Sequence, residues 1–522
     1  MAGDGLLTAT FKFLLPFVPL LLAAYYVYTA IQTWLPLRHI PGPFLGKFSY
    51  LFMMRTQASG TQHLRYRAVD AKFGSIVRIG PNELTTSDPE LIRRMSAARS
   101  PYKRSDWYLG MRVDPHLDNI LSELDVDTHD KRRAKMAGAY AGRENPQLEK
   151  DVDDQIASWV NLIKTKYISE GGSLKPMDLA LQAQYFTLDV ITSLAYGGAF
   201  GYLARDEDIY DYIKLAEQFV STAAPIIGVA PIHKFLYRSG LIFKIAPNPE
   251  DPKGFGRLMS EAKAAVGERF EVDAKERHDM IGAFVRNGIP QKQIEAELLL
   301  QIIAGSDTTA SALRSTLLRL LTSPRVLTKL RAEVTAAVAE GRVSNPIQQK
   351  ESKELPYLQA VVKEGLRITP PFLGQVAKEV PAGGDTYEGI YFPAGTRIGH
   401  NVYALTRHPI FGPDSDTFRP ERWLEADADT RREMEKTVDL VFGYGRWSCM
   451  GRNVAFLEMD KVYFEVCSIT AFSSLHMHRL ICPQLLRHFD FDVVNAEKPW
   501  SSKNFNIWMQ HEFFVRVTER EA

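Results

Sequence analysis

The sequence is poor in cysteine and carries almost no net charge. Its 522 residues include only Cys449, Cys467 and Cys482, which are too few for a disulfide framework and lack the CxxC spacing of a zinc site. Lys and Arg number 63 and Asp and Glu 62, for a net charge of +1, which argues against nucleic acid as a partner. No Asn-x-Ser/Thr site occurs. These absences favour a folded body in a reducing compartment.

Low-complexity linkers and internal repeats are also missing, so residues 48–522 are predicted to form one domain. With 45% hydrophobic residues, the chain can bury a large core. Amphipathic stretches predict helices at 148–168, 178–196, 291–322, 325–340 and 355–368. Short β-like runs lie at Ser75–Ile79, Glu83–Thr86, Tyr387–Phe392 and Arg397–Val402. The predicted fold class is mostly α with a small β portion (α+β).

One long stretch, residues 13–36, contains no Asp, Glu, Lys, Arg or His. Because a hydrocarbon layer is about 30 Å thick, this stretch is long enough to cross it as a helix. It predicts a transmembrane anchor, preceded by a lumenal tail at 1–12 and followed by a proline-rich hinge at 37–47. A cleaved signal peptide is the alternative. The basic residues after the stretch favour a domain that faces the cytosol.

A glycine-rich loop near the C-terminus contains a cysteine, in the sequence Phe442-Gly-Tyr-Gly-Arg-Trp-Ser-Cys449-Met-Gly451. Glycines allow the backbone to approach a flat ligand closely. A thiol just before a helix start is also stabilised as the thiolate, which is a strong metal ligand. The loop therefore predicts an iron or nucleophile site, and a buried structural cysteine in a turn is the alternative.

A second unusual segment, Ala304-Gly-Ser-Asp307-Thr308-Thr309, lies in the middle of a long apolar helix. Such residues are poor choices for a helix interior. Thr308 could bond back to the carbonyl of Ala304 and open a groove for a small ligand, beside the titratable Asp307. The alternative is that Asp307 caps the start of a new helix.

Three further groups of charged residues complete the set. Glu364 and Arg367 lie three residues apart on one helix face, just before two prolines end the helix. Arg422 stands in an irregular segment, 418–423, and could reach Glu364. The basic run 129–133 could bind anionic groups, although a solvated surface is the alternative.

In order and spacing, these motifs resemble those of the cytochrome P-450 family, heme-thiolate monooxygenases of the membrane-anchored fungal kind. The match spans nearly the whole chain, and the segment Tyr102–Tyr108 with the cysteine loop resembles the pisatin-demethylase-like branch. The resemblance implies the P-450 fold and a heme b cofactor. It also implies NADPH as the electron source, through an NADPH-cytochrome reductase. The catalytic domain would face the cytosol from the endoplasmic reticulum membrane.

The resemblance also implies roles for individual residues. Cys449 would be the axial ligand of the heme iron, and Asp307 and Thr308 would relay protons when dioxygen is cleaved. Ala304 and Gly305 would shape the dioxygen groove. Glu364, Arg367 and Arg422 would form a buried salt-bridge triad. The remaining cofactor contacts would come from Phe442, Gly443, Gly445, Trp447 and Gly451.

The expected contacts to the heme propionates depart from the family pattern at one position. Arg133 would pair with one propionate, with Lys378 as a second possible partner. However, Trp447 stands where the family commonly has arginine. Because tryptophan offers one N–H donor and no charge, part of the neutralising charge must come from elsewhere.

The substrate is expected to be lipophilic, such as a terpenoid, alkaloid or polyketide, because the predicted pocket is mostly apolar. The reductase is expected to dock on a basic face that includes Lys131, Arg132 and Arg446. A heme-thiolate isomerase or dehydratase and a non-enzymatic heme-binding protein are the alternatives. The candidate pocket residues are Trp107, Leu109, Met111, Ile120, Gln301, Ile302, Phe372, Leu373, Gln375 and Phe505.

Residues 466–484 are predicted to be a translated intron rather than part of the working enzyme. They contain no Asp, Glu or Lys, yet they hold two of the three cysteines of the chain. In the resembled family, the helix after the cysteine loop leads almost directly into a strand. A surface loop specific to this branch is the alternative.

Overall fold

The computed structural model describes residues 18–467 and 489–519, and this part of the chain is mostly helical with small sheets, as predicted. The helices of the first half are α1 (Val18–Leu37), α2 (Phe44–Phe48), α3 (Leu51–Gln57), α4 (Gln62–Phe73), α5 (Pro89–Ser96), α6 (Val126–Tyr140), α7 (Leu148–Leu162), α8 (Leu179–Tyr196), α9 (Tyr202–Arg205), α10 (Tyr212–Thr222), α11 (Ala224–Ile227), α12 (Ala230–Arg238) and α13 (Ile242–Ile245). Those of the second half are α14 (Gly254–Gly267), α15 (Met280–Arg286), α16 (Gln291–Leu321), α17 (Pro324–Ala339), α18 (Gln349–Ser352), α19 (Pro356–Ile368), α20 (Val402–Leu405), α21 (Arg422–Glu425), α22 (Ala428–Val438) and α23 (Arg452–Cys467).

The core is built around α16, which packs against α8, α14, α19 and α23. Every side chain of α8 except that of Leu181 is buried, as expected of a helix surrounded by other elements. Its start is capped by the carboxylate of Asp178, which accepts hydrogen bonds from two backbone N–H groups. Its end is fixed by Gly197, whose φ of 80° is a conformation that favours glycine. Short polar caps thus set the limits of an apolar helix.

The predicted amphipathic helices are confirmed, with one exception in length. The stretch 148–168 forms α7 only as far as Leu162 and then continues as a π-helical turn, Ile163–Tyr167. The other four stretches correspond to α8, α16, α17 and α19.

The strands of the described part are short. They are β1 (Ile76–Gly80), β2 (Glu83–Thr86), β3 (Lys103–Arg104), β4 (Met177–Asp178), β5 (Lys378–Glu379), β6 (Asp385–Tyr387), β7 (Ile390–Phe392), β8 (Arg397–His400), β9 (Phe489–Val493), β10 (Ser501–Phe505), β11 (Ile507–His511) and β12 (Phe514–Glu519). The largest sheet has the order β1-β2-β8-β5-β3, and β4, β12 and β9 form a second. The prediction of one β run at Tyr387–Phe392 was wrong, because Glu388 and Gly389 adopt positive φ and turn the chain into the β6–β7 hairpin.

Two predicted segments extend beyond the described residues. Helix α1 covers most of the predicted anchor, but residues 13–17 lie outside the described part. No single helix of the described part has both the length and the hydropathy of a membrane span. One bent pair, Ile209–Ile226 with Ala230–Arg238, meets both criteria together, by length and composition only. The suspected insert lies outside the described residues from position 468 onward, and α23 ends at Cys467.

Candidate functional site

The cysteine loop is a tight turn that presents Cys449 just before α23. The backbone N–H of Cys449 donates to the carbonyl of Phe442 at 2.7 Å, which closes the loop. Gly443 and Gly445 have φ values of 74° and 58°, and a Cβ at Gly445 would lie 2.2 Å from the carbonyl oxygen of Ser96. Larger residues cannot occupy these two positions without displacing the backbone.

Opposing influences act on the thiol of Cys449. Its side chain keeps accessible surface, but the surrounding protein desolvates the sulfur, and this burial raises the pKa of the thiol above its ordinary value. The backbone N–H groups of Gly451 and Arg452 and the charge of Arg133 oppose that rise. The N–H groups at the helix start therefore favour the thiolate, but burial outweighs their effect on the pKa.

Helix α16 is continuous through its polar centre, so the alternative of a new helix starting at Asp307 was wrong. The hydroxyl of Thr308 donates to the carbonyl of Ala304 at 2.7 Å, which is the back-bond expected from the sequence. Asp307 is buried, and burial raises the pKa of its carboxyl to about 6, against the lowering effect of Arg314. A Cβ at Gly305 would lie 3.0 Å from Ile191, so only a small residue fits there.

One stripe at the centre of α16 is open, although Ser306, Asp307 and Thr309 beside it are buried. Ala304 is exposed and Thr308 half-buried, and both share a helix face with Gln301. The amide of Gln301 donates to the hydroxyl of Tyr140 at 2.8 Å. Burial raises the pKa of Tyr140, and the charge of Cys449 adds to that rise. The stripe and the cysteine loop therefore border a common region beside Tyr140.

Glu364, Arg367 and Arg422 are brought together in the core. The guanidinium of Arg367 donates twice to the Glu364 carboxylate, at 2.8 Å each. Nε of Arg422 donates to the same carboxylate at 3.1 Å. Trp423 Nε1 and the backbone N–H of Arg419 add two more bonds, at 3.0 and 2.8 Å. Five donors thus satisfy one carboxylate that has no exposed surface.

A cluster of cations surrounds Trp447 beside the cysteine loop. The guanidinium of Arg104 lies 4.5 Å from the Trp447 ring centre, and the ammonium of Lys378 lies 5.2 Å from it. Arg104 and Lys378 face each other as a pair across β3 and β5. Both are buried, and no carboxylate of the described residues lies within ion-pair distance of either. Burial, together with the charge of Arg104, lowers the pKa of Lys378 well below its ordinary value.

The sequence model of the family described as Cytochrome P-450 matches residues 40–466. This chain belongs to the cytochrome P-450 family. It is 46% identical over 500 residues to the cytochrome P-450 monooxygenase ABA1 of Pyricularia oryzae, covering 93% of each chain. It is 41% identical over 493 residues to aba1 of Botryotinia fuckeliana, again covering 93% of each. A third relative, abl1 of Leptosphaeria maculans, is 37% identical over 459 residues, covering 87% of this chain and 81% of the relative. The protein is accordingly a cytochrome P-450 monooxygenase, an oxidoreductase.

The cation cluster fits the heme that this family carries. Like charges facing each other across paired strands are destabilising, and a buried cation without an anionic partner costs several kcal/mol. The buried Nε atoms of Arg104 and Trp447 also have no hydrogen-bond partner. The carboxylates of a heme would supply the missing anions. Arg104 and Lys378 therefore fit the propionates, and Cys449 fits the iron. Arg133, the predicted propionate partner, lies beside the cysteine loop and donates to Ser448.

The predicted substrate residues of the P-450 do not form a single cluster. Trp107, Met111 and Phe372 pack together, and Trp107 and Gln375 line a small cavity with Ala230. Leu109 is half-buried on the same 3-10 turn as Trp107, and Phe505 is buried in β10. Elsewhere, Leu373 packs with Trp508, Ile120 and Ile302 join the main core, and Gln301 is bonded to Tyr140.

The structure corrects one residue of the predicted docking face and adds others to the heme site. Arg132 is not part of an exposed basic face, because it is held by Glu123 at 3.2 Å and by buried Glu297 at 3.6 Å. Lys131 is exposed, whereas Arg446 is half-buried. Arg104 was missed by the sequence interpretation, since its only signal was its place in the branch-specific segment Tyr102–Tyr108. Tyr108, which accepts from Lys378 at 2.7 Å, was missed with it.

Proposed function

We propose that this P-450 inserts one atom of dioxygen into a lipophilic small molecule of fungal secondary metabolism. The observation that carries the proposal is the Thr308 hydroxyl on the open stripe of α16, next in the chain to the buried carboxyl of Asp307. Thr308 keeps its hydroxyl beside that stripe through the bond to Ala304. Asp307 holds a carboxyl whose pKa, raised by burial to about 6, lets it carry a proton near neutral pH.

The cofactor and the side chains of the protein have separate roles in the proposed reaction. Heme would supply the iron chemistry that activates dioxygen, and Cys449 would be the residue that binds the iron. Arg104, Lys378 and Arg133 would hold the cofactor carboxylates. Asp307 stores the proton, and the Thr308 hydroxyl passes it on at the open stripe.

A terpenoid, alkaloid or polyketide scaffold suits the apolar contacts of Trp107, Met111 and Phe372. Incubation with a reductase, NADPH and extracts of a strain that lacks the gene tests this directly. We expect a compound in the extract to gain the mass of one oxygen atom, and only when NADPH is present. A mass loss of water or an unchanged mass, independent of NADPH, would instead support a heme-thiolate isomerase or dehydratase. Binding without turnover of any compound would support a non-enzymatic heme protein.

The electrons are proposed to come from NADPH through a membrane-bound cytochrome reductase. Arg446 stands in the cysteine loop, and its guanidinium lies 3.9 Å from the carboxylate of Asp130, the residue before exposed Lys131. Cations on this side of the protein would attract an acidic reductase surface. Charge reversal of Lys131 to Glu is expected to slow reduction by the reductase, and to do so less at high salt. Lys175→Glu, an exposed lysine elsewhere in the chain, is the matched control.

The chain is further proposed to sit on the endoplasmic reticulum membrane, with 13–36 as anchor and the catalytic domain in the cytosol. Aromatic side chains of α1 are exposed, among them Tyr25 and Tyr28. Exposed apolar residues of the body that suit a lipid surface are Phe44, Leu45, Phe235, Phe243 and Ile245.

Removal of residues up to Pro36 tests the anchor and the second surface separately. We expect the truncated protein still to bind vesicles, since Phe44, Phe235 and Ile245 remain. Adding Phe235→Ser and Ile245→Ser to the truncation is expected to release it. If the truncated protein does not bind vesicles at low salt, the exposed apolar residues of the body do not form a second membrane-binding surface.

A further inference from the structure

Asp307 is the innermost of several polar side chains that lead from the centre of α16 toward the surface. Its Oδ1 accepts a hydrogen bond from the amide of Gln184 at 2.5 Å. The amide oxygen of Gln184 accepts in turn from Nη1 of Arg314 at 3.4 Å. Because Asp307 is buried, any proton that it gives up must be replaced from another part of the protein.

Arg314 is a fully buried cation whose N–H groups bind neutral acceptors. It donates to the carbonyl of Gln510 at 3.1 Å and to the hydroxyl of Ser311 at 3.3 Å. Burial lowers the pKa of its guanidinium, while the charges of Asp307, Glu217 and Asp178 raise it. One buried guanidinium thus stabilises several carboxylates around it without forming an ion pair of its own among the described residues.

Glu217, on α10, is the outermost of these carboxylates. Its Oε1 lies 3.4 Å from Nε2 of His511, and the two side chains are 25% and 41% exposed. His511 follows Gln510, whose carbonyl binds Arg314, along β11. The pair Glu217 and His511 therefore connects the surroundings of Arg314 with solvent.

The charge of Asp307 affects the protonation of Glu217. Burial, followed by the charge of Asp307, raises the pKa of Glu217 to about 7, and Arg314 opposes the rise. Burial raises the pKa of Asp307 to about 6. Both carboxyls can therefore carry a proton near neutral pH. The charged groups that act on Glu217 from the surrounding elements are Asp307, Arg314, Asp208, Asp178 and His511.

We propose that Glu217 is the surface carboxyl that resupplies Asp307 with protons, with Arg314 as a positioning residue and His511 at the solvent side. The inference rests on the proposed function, in which Asp307 holds a proton for the reaction. The transfer changes only O–H bonds. One breaks at Glu217, one forms at Asp307, and Glu217 regains its proton from bulk water beside His511.

The test uses the full-length heme protein with its reductase, NADPH and dioxygen, without added substrate. We expect Glu217→Gln to slow NADPH-driven dioxygen consumption about tenfold, to change its solvent isotope effect and to increase peroxide released per NADPH. Glu217→Asp keeps a carboxyl and is expected to restore most of the rate. Glu207→Gln, an exposed carboxylate that pairs only weakly with Arg205, is the matched control and should behave as the native protein.

A second readout does not depend on turnover. Infrared pH-difference spectra of the native protein are expected to show a protonated-carboxyl band near pH 7 that is weaker in Glu217→Gln, where the band of buried Glu297, whose pKa is also raised to about 7, remains. If Glu217→Gln leaves the band as strong as in the native protein, or if it keeps the native rate and isotope effect while Asp307→Asn does not, Glu217 is not the donor and the role of Asp307 stands. If Asp307→Asn itself behaves as native, the proposed function fails instead.

Discussion

Arg133 donates from both terminal nitrogens of its guanidinium to Ser448, to the carbonyl at 2.7 Å and to the hydroxyl at 2.9 Å. This contact ties α6 to the cysteine loop one residue before Cys449. Hydrogen bonds from a charged donor contribute about 1.5–3 kcal/mol each, so the loop conformation depends on a residue far away in sequence. The same arginine opposes the burial that raises the pKa of the Cys449 thiol.

Cys449→Ser is expected to abolish the red-shifted Soret band of the reduced protein with CO, because that band reports thiolate ligation of the iron. The native protein should show it. Cys449 is the only described cysteine in such a loop, and a serine hydroxyl is far less acidic than a thiol. Retention of the band in Cys449→Ser would disprove the ligand assignment.

Thr308→Ala is expected to leave heme binding intact while NADPH is consumed with little product and more peroxide. The variant removes the hydroxyl that is bonded to Ala304 beside buried Asp307. Thr308→Ser keeps a hydroxyl and serves as the control. Product formed per NADPH and peroxide release measure the effect, and unchanged coupling in Thr308→Ala would exclude Thr308 from the relay.

Glu364→Gln is expected to destabilise the protein by about 3–5 kcal/mol, because it leaves the buried guanidinium of Arg367 without its anion and Arg422 with Asp414 alone. Glu425→Gln, which breaks an ion pair of Arg419 at the surface, should cost less than about 1 kcal/mol. Denaturant unfolding and the yield of heme-containing protein measure both. Equal stability of the two variants would contradict a structural role for the buried cluster.

Lys378→Met is expected to weaken the binding of heme. It should weaken the binding of heme dimethyl ester much less, because the ester has no free carboxylates for Lys378 to bind. The measurement is heme transfer to an acceptor globin. The lowered pKa of Lys378 also has a consequence for the heme-free protein. Between the lowered pKa of Lys378 in the folded protein and 10.5, the unfolded chain binds a proton that the folded protein does not, so the free energy of unfolding should rise with pH over that range, and Lys378→Met should remove this slope. If Lys378→Met weakens the binding of heme and of its dimethyl ester equally, Lys378 does not bind the propionates.

The mature transcript is expected to lack the codons for residues 466–484. Val-Cys at the start can be encoded by a typical intron start, and Gln at the end by the usual CAG of an intron end. Removal would join Glu465 to Leu485 and restore the expected succession of helix and strand. Sequencing the transcript decides the matter, and a mature message that retains these codons with normal heme binding would refute the prediction.

The sequence by itself determined the helices and the polar interruption of α16. Periods of hydrophobic residues are local, so α8, α16, α17 and α19 could be read from the spacing of their own residues. The back-bond of Thr308 was equally predictable, since its acceptor lies four residues earlier in the same helix. The family resemblance also rests on motifs that are each contiguous in sequence.

Only the tertiary structure decided which distant residues surround those motifs. The pairing of Arg104 with Lys378 depends on the register of β3 and β5, which no local pattern specifies. The path from Asp307 to Glu217 likewise passes through α8, α10, α16 and β11. Burial then shifts the pKa values of these side chains. The sequence does not show these shifts, because desolvation depends on all the residues that pack around a charged group.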